Sequence, residues 1–232
     1  MASRVFCFYY DFPRSNDMHS HEMKEHVSVR HLSHLNFLFS GRGSRVYDRT
    51  MVRLTRRLYQ RVIEDMVPLR LVEGKVLDAG TGPGTLARDI ARRFPQLQVY
   101  GIDLSADMIR LAHEHAKRER VEERVHFDVG DVGHLPYPDH SFDVVVSTIS
   151  LHHWHELEQP LRELYRVLRP GGKLWIYDAR FIKTEVVEKA QASTPFAETQ
   201  LEHQLVRTGL WPFAIYRRFA LQRELQGEAN GG

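Results

Sequence analysis

The amino-acid sequence predicts an α/β fold: a mostly parallel sheet with helices on both faces, preceded by an N-terminal helical cap. Two observations lead to this prediction. From Gly74 onward, short apolar runs alternate with stretches of helical periodicity, which is typical of a parallel sheet covered on both faces. The first apolar run leads directly into a glycine-rich turn, which indicates a ligand site at the end of the first strand.

Hydrophobic periodicity assigns most elements in order. Apolar residues recur at three- to five-residue steps from Val46 to Met66, which predicts an amphipathic helix that Pro68 ends. The strands that follow are predicted at 75–79, 97–103, 124–129, 142–147 and 173–178. The helices between them are predicted after Gly82 to Phe94, from the N-cap Ser105 to about Glu119, and over 157–168.

The elements of the C-terminal third are predicted from the residues that end helices. Pro170-Gly171-Gly172 is expected to end one helix and start the fifth strand. A helix over 183–192 is followed by a second helix to about Arg207, and then by one or two strands within 212–221. The predicted organisation is a cap over residues 1–70, a main domain over 71–226 and a disordered tail over 227–232.

Composition excludes several classes of protein. The chain has 232 residues, a net charge of +2 and one cysteine, Cys7. One cysteine rules out both an internal disulfide scaffold and a Cys-rich zinc module. No apolar run approaches the roughly 18 residues of a membrane span. Basic residues are interleaved with acidic ones, as over 117–124, which is typical of a solvated helix face and does not favour a nucleic-acid binder. A cytoplasmic enzyme is therefore expected.

The glycine-rich turn has the sequence VLDAGTGPGT over residues 76–85. Glycines let a backbone approach a ligand closely, and the helix that follows presents an N-terminus that favours negative charge. A P-loop would need Gly-Lys-Ser/Thr, which is absent. The dinucleotide fingerprint needs a third glycine where Thr85 stands. The nucleoside-binding turn of S-adenosylmethionine enzymes is the interpretation that remains.

Four segments in order resemble the motifs of the class I SAM-dependent methyltransferases. They are DAGTGPG at 78–84, YGIDLS at 100–105, GDV at 130–132 with LPYPDHSFD at 135–143, and RVLRPGGKL at 166–174. The ordered set covers about residues 74–178, and its details resemble small-molecule methyltransferases of the ubiquinone/menaquinone-biosynthesis type (methyltransferase type 11). The resemblance implies a Rossmann-like, seven-stranded, mostly parallel sheet and S-adenosylmethionine as cofactor.

The resemblance also implies site residues. Asp103, 25 residues beyond Asp78, would bind the ribose hydroxyls, and Asp131 would contact the adenine amino group. Tyr47, ahead of the long helix, lies where such proteins often contact the methionine end of the cofactor. The full set of predicted cofactor-binding residues is Tyr47, Asp78, Gly80, Thr81, Gly82, Gly84, Asp103, Leu104, Met108, Asp131, Val132 and Ser147.

Two groups of histidines raise questions of chemistry. His152 and His153 follow the fourth predicted strand, at the sheet edge where ligands bind, so either is a candidate general base; the alternative is that they only shape the pocket wall. In the N-terminal segment HEMKEH, at 21–26, the zinc motif HExxH would need histidine at 25 and HxxEH would need histidine at 22, and both positions hold glutamate. No metal site is expected there, and a polar lid segment is preferred. The N-terminal cluster comprises His19, His21, His26, His31 and His34.

The sequence thus predicts an enzyme that moves a methyl group from S-adenosylmethionine to a small organic acceptor by in-line displacement. Two alternatives stay open: a SAM-binding regulatory or scaffold protein without turnover, and a protein or RNA methyltransferase that acts with a partner. The segment 147–150 lacks the Asn/Asp-Pro-Pro-aromatic pattern of enzymes that methylate nucleic-acid bases, so no nucleic-acid partner is expected. A homodimer, and the identity of the acceptor and its O, N, C or S atom, are left open.

Overall fold

The computed structural model describes residues 44–154, 156–208 and 215–225, with side chains from residue 55 onward. The chain divides into two compact units, Met1–Asp48 and Arg49–Gly232. The N-terminal histidine cluster lies outside the described residues. The predicted cap boundary at residue 70 and the predicted disordered tail remain predictions.

The described residues form five α-helices and one seven-stranded sheet. The helices are α1 Ser44–Met66, α2 Thr85–Arg93, α3 Ala106–Glu119, α4 Glu158–Val167 and α5 Thr184–Ala192. The strands are β1 Gly74–Ala79, β2 Leu97–Asp103, β3 Val125–Val129, β4 Phe142–Thr148, β5 Leu168–Ala179, β6 Glu202–Val206 and β7 Tyr216–Gln222. Short 3₁₀ turns follow α1 at Val67–Leu69 and β4 at Leu151–His153.

The sheet has the strand order β3-β2-β1-β4-β5-β7-β6. Strands β1 to β5 are parallel, and β7 runs antiparallel to both β5 and β6. The order reverses between β1 and β4, and ligands of open α/β sheets bind outside the carboxyl ends of the strands at such a point. The predicted Rossmann-like, seven-stranded, mostly parallel fold is confirmed.

Local sequence signals explain where the elements begin and end. Ser105 caps α3, because its hydroxyl accepts a hydrogen bond from the backbone N–H of Met108. Arg120 ends the same helix in a left-handed conformation, with φ of 57°. The central strands β1 and β4 are buried over most of their length, and each contains a short apolar run, at 76–77 and at 144–146.

Two apolar clusters form the core, and successive residues of the strands belong to them alternately. Val144 and Val146 of β4 pack with side chains from α1, α2 and α3, whereas Val145 packs with side chains from α4 and α5. Because neighbouring residues of a strand point to opposite faces, the two clusters lie on opposite faces of the sheet. Helices therefore cover both faces, as predicted. No helix among the described residues is long and apolar enough to cross a membrane.

The prediction of a second helix that runs to about Arg207 is wrong. Turns follow α5, and Glu202–Val206 form the edge strand β6, paired antiparallel with β7. Its first four residues are exposed, so the segment lacks the alternation that marks a half-buried strand. Glu, His, Gln and Leu do not favour a strand strongly, and pairing with β7 overrides their local preference.

The prediction for Pro170-Gly171-Gly172 is also corrected. Helix α4 ends at Val167 and β5 begins at Leu168, so these three residues lie inside the strand. They form an irregularity in the pairing with β4, because Phe142 pairs with Leu168 but Val144 pairs with Lys173. The extra residues on β5 act as a bulge.

A buried carboxylate holds α1 against the sheet. Asp65 accepts a hydrogen bond of 2.7 Å from the hydroxyl of Tyr177 on β5. The guanidinium of Arg218 on β7 lies 3.1 Å from the same oxygen, Oδ2, and Arg61 bonds the other oxygen at 2.9 Å. Burial and the Asp65 charge raise the pKa of the Tyr177 phenol above its usual value. This network fixes the helix that precedes β1.

Substituting Asp65→Ala is expected to lower the free energy of unfolding by about 1–3 kcal/mol, because a buried hydroxyl and a guanidinium lose their acceptor. Urea unfolding measures the change. The matched control is Glu64→Ala, an exposed neighbour on the same helix, which is expected to change stability by less than about 0.5 kcal/mol. Equal effects of the two substitutions would show that the Asp65 network does not stabilise the fold.

Candidate active site

The turn after β1 is fixed to the end of β2. The backbone N–H groups of Gly80 and Thr81 both donate to the carbonyl oxygen of Ile102, each at 2.9 Å. Three glycines of the turn have positive φ, at 79° for Gly80, 53° for Gly82 and 72° for Gly84. Only glycine adopts this backbone region readily, so the spacing of the glycines follows from the shape of the turn.

Asp78, two residues before Gly80, is buried. The hydroxyl of Thr81 donates to its Oδ2 at 2.7 Å, whereas its Oδ1 is buried without a hydrogen-bond partner among the described residues. Burial, together with the charge of Asp103, raises the pKa of Asp78 to about 7, against the lowering effects of the Thr81 hydrogen bond and of the nearby backbone N–H of Ala87. A buried carboxylate oxygen without a donor is an acceptor available to a ligand.

Asp103, at the end of β2, is held by two backbone donors. Its Oδ2 accepts a hydrogen bond from the N–H of Gly82 at 2.8 Å, and its Oδ1 accepts one from the N–H of Ser105 at 2.9 Å. These bonds fix the plane of the carboxylate. Each oxygen keeps a second lone pair, so a ligand with two neighbouring hydroxyls has two acceptors.

Apolar side chains stand exposed at the ends of β2 and β3. Leu104 is 70% exposed and Val129 is 54% exposed, although both are large hydrophobic residues. Asp131 follows on the β3 side, where its Oδ1 accepts a hydrogen bond from the N–H of Gly133 at 2.8 Å. An exposed apolar pair beside a carboxylate suits a flat ring that carries hydrogen-bond donors. Met108, on the first turn of α3, is partly buried.

Four other predicted cofactor residues have different surroundings. A Cβ on Gly84 would lie 2.5 Å from the ring of Phe127, so this glycine lets β3 and α3 pack against the turn. Val132 is buried in the core. Ser147 on β4 is fully buried, and its hydroxyl has no hydrogen-bond partner among the described residues. The side chain of Tyr47 lies outside the described residues.

His152 pairs with a buried acid that the sequence interpretation missed. The imidazole Nδ1 lies 2.9 Å from Oδ1 of Asp178 and 3.2 Å from its Oδ2, and Asp178 is fully buried at the end of β5. The N–H of Ala179 also donates to Oδ1, at 2.7 Å. Because a carboxylate only accepts, the proton of a neutral imidazole lies on Nδ1 and the lone pair on Nε2.

His153 lies against His152, with the two ring centroids 4.1 Å apart. Burial and the neighbouring His152 lower the pKa of His153, and the charges of Asp178 and Asp103 oppose that shift. His153 therefore experiences both carboxylates. The histidine pair is thus subject to the charges at the ends of both β2 and β5.

Two further contacts lie at this edge of the sheet. A Cβ on Gly80 would lie 2.3 Å from the hydroxyl of Ser150, so the turns after β1 and β4 touch. Tyr59 of α1 forms a hydrogen bond with Thr148, and burial, together with the charge of Asp78, raises the pKa of its phenol above the usual value. These residues were not predicted as site residues.

A signal for Asp178 was present in the sequence. Strands β1 and β5 each place an aspartate one residue before a terminal alanine, and β2 ends on Asp103. An ionisable residue at the carboxyl end of an apolar parallel strand is a functional candidate, because ligands bind at that edge. Tyr59 had no comparable signal, since an aromatic residue at helical spacing is most often a core residue.

Comparison with known proteins agrees with this geometry. The model of a family described as "Methyltransferase domain" matches residues 76–172. A demethylmenaquinone methyltransferase of Porphyromonas gingivalis is 36% identical over 149 residues, which are 64% of this chain and 56% of that protein. These matches support a class I SAM-dependent methyltransferase.

Solved structures share the fold of this chain. The geranyl diphosphate C-methyltransferase of Streptomyces coelicolor has a TM-score of 0.58 at 16% identity, over 72% of this chain and 81% of that one. The [4+2]-cyclase SpnF has a TM-score of 0.60 at 21% identity, over 71% and 81%. A cyclase with this fold shows that the fold alone does not determine the reaction. The chain spans about half the length of the curated relatives it matches.

The raised pKa of Asp78 makes the stability of the methyltransferase domain pH-dependent. The folded state holds this proton up to about pH 7, whereas the free side chain has a pKa of 3.8. Stability from this group is therefore complete below about pH 4 and is lost as the pH rises through 7. Asp78→Asn, which stays neutral, is expected to gain stability relative to wild type across that range. Urea unfolding of both proteins at several pH values measures the difference, and parallel curves would contradict the assignment.

Proposed function

We propose that this chain is an enzyme that binds S-adenosylmethionine at the turn after β1 and transfers its methyl group to a small organic acceptor. The observation that carries the proposal is the joined pair of acids at the ends of β1 and β2. Asp103 is oriented by the turn itself, through the N–H of Gly82, and Asp78 keeps one buried oxygen without a donor.

The residues present fit this cofactor. A Cβ on Gly82 would meet no atom within 4 Å, so open space lies beside the backbone of the turn. The two acceptors of Asp103 suit a ribose diol, and the exposed side chains of Leu104 and Val129 with Asp131 suit an adenine ring and its amino group. The unpartnered oxygen of Asp78 suits a donor or a cation, and S-adenosylmethionine carries both an ammonium group and a sulfonium.

The cofactor supplies a methyl group that is already activated by the positive charge of its sulfonium. The protein therefore mainly has to position the acceptor and exclude water. We assign the acceptor side of the site to the dyad of His152 and Asp178. Asp178 holds the imidazole with its proton on Nδ1, and Nε2 accepts a proton from the acceptor nucleophile. Asp178 is a positioning residue, since it acts through His152.

A small organic acceptor is supported by the names of the relatives. The similar protein from Porphyromonas gingivalis is a demethylmenaquinone methyltransferase, and the structural neighbour from Streptomyces coelicolor was solved with geranyl diphosphate and S-adenosylhomocysteine. Which acceptor atom is methylated stays open. A cytoplasmic location, a homodimer and the lack of a nucleic-acid partner remain predictions.

Calorimetric titration with S-adenosylmethionine and S-adenosylhomocysteine, with NAD as a control ligand, tests the cofactor proposal. Asp103→Ala is expected to weaken binding of both by about 1.5–3 kcal/mol, because hydrogen bonds to a charged group are lost. Asp107→Ala, an exposed acid four residues away on α3, is the matched control and should bind as wild type. Asp103→Ala that binds S-adenosylmethionine with unchanged affinity would contradict the proposal. So would a wild-type protein that binds NAD but neither of the other two ligands.

The dyad makes a separate prediction about turnover. With an acceptor selected by screening, Asp178→Asn and His152→Asn are each expected to lower kcat by about 10²-fold or more, with affinity for S-adenosylmethionine retained. The double variant should lose no more than either single variant, because the two residues act as a unit. Release of S-adenosylhomocysteine measures turnover, with Glu188→Gln on the exposed face of α5 as control. Additive losses would argue that His152 and Asp178 act independently.

A further inference from the structure

A cavity of about 480 Å³ lies in the connection between β5 and α5. Its walls come from residues 180–185 and from Arg217 at the start of β7. The connection leaves the carboxyl end of β5 two residues after Asp178, and β7 begins at the same edge because it runs antiparallel to β5. The cavity therefore lies at the ligand-binding edge of the sheet.

The cavity is lined mainly by positive charge. Lys183 and Arg217 contribute two cations and Arg180 lines the same wall, against the single carboxylate of Glu185. Among the described residues, neither Lys183 nor Arg217 forms an ion pair. The N-terminus of α5 adds to the positive potential, since no side chain caps this nine-residue helix and its first N–H groups point out of it.

The Arg217 guanidinium is held in place but only partly used. Its Nη1 donates to the carbonyl of Ile182 at 3.0 Å and to the hydroxyl of Thr184 at 2.7 Å. Its Nε is buried without a hydrogen-bond partner among the described residues. An arginine fixed through one nitrogen, with donors to spare and no carboxylate, is suited to an anion with several oxygens.

The cavity and the dyad are neighbours through the sheet. Arg217 is the cross-strand partner of Asp178 in the antiparallel pair of β5 and β7. Directly opposed residues in such a pair point to the same face, with Cα atoms roughly 4.5–5.5 Å apart. The backbone of Arg217 therefore lies one strand spacing from that of Asp178, the acid that orients His152.

We propose that this cavity binds an anionic group, a carboxylate or a phosphate, of the methyl acceptor. This inference rests on the proposed function, because it assigns the acceptor class to the site next to His152. The acceptor would carry its anion within a few ångströms of the nucleophile, and its apolar part would lie against Phe181, whose ring is 59% exposed at the cavity. Glu185 opposes anion binding and limits its strength.

Two simple anions test the site without any knowledge of the acceptor. Inorganic phosphate is followed by ³¹P line width and 4-fluorobenzoate by ¹⁹F shift, at constant ionic strength. Lys183→Gln and Arg217→Gln are each expected to weaken binding about fivefold or more, and Glu185→Gln to strengthen it. Tighter binding of one anion identifies the acceptor's group as phosphate or carboxylate.

The control variant is Lys117→Gln, which removes the same charge from an exposed position on α3 and should bind both anions as wild type does. Equal anion affinity in wild type, Lys183→Gln and Arg217→Gln would overturn the inference. The test is independent of the cofactor. Anion binding with no S-adenosylmethionine binding would overturn the proposed function, and would leave an anion site that no longer belongs to a methyl acceptor. S-adenosylmethionine binding with no anion binding would overturn only the acceptor class.

Discussion

The carbonyl oxygen of Ile102 is the point on which the site depends. It accepts hydrogen bonds from the backbone N–H groups of both Gly80 and Thr81. These bonds join the turn after β1 to the last residues of β2. Asp103 follows Ile102 directly, and its carboxylate accepts a hydrogen bond from the N–H of Gly82 in the turn. Because the turn and the acid hold each other, the acceptors for a ligand are oriented before any ligand arrives, which reduces the cost of binding.

Three aspartates at the same sheet edge have three different environments. Asp78 is buried and lacks a partner for one oxygen, so burial raises its pKa to about 7. Asp103 is partly exposed and bonded to two backbone N–H groups. Asp178 is buried but paired with His152. The three environments suit three different roles. Asp78 offers an available acceptor, Asp103 an oriented pair of acceptors, and Asp178 supports an imidazole.

Much of the fold could be predicted because its signals are local. Strand β2 has the predicted bounds, and Ser105 caps α3 as expected, since a hydroxyl before a helix acts within one turn. The edge strand β6 could not be predicted, because only its pairing with β7 makes it a strand. Among the site residues, Asp78 and Asp103 were predicted from the motifs that resemble the family. The partner of His152 lies 26 residues away, so their contact depends on the parallel alignment of β4 and β5.

A crystal structure of the chain grown with S-adenosylhomocysteine tests the central claim most directly. The account predicts that the nucleoside lies over the turn at residues 80–84, with both ribose hydroxyls on the Asp103 carboxylate and a donor of the amino-acid end on the free oxygen of Asp78. Ligand density at another edge of the sheet would contradict it. So would a complex in which Asp103 keeps its bonds to the turn but does not touch the ribose.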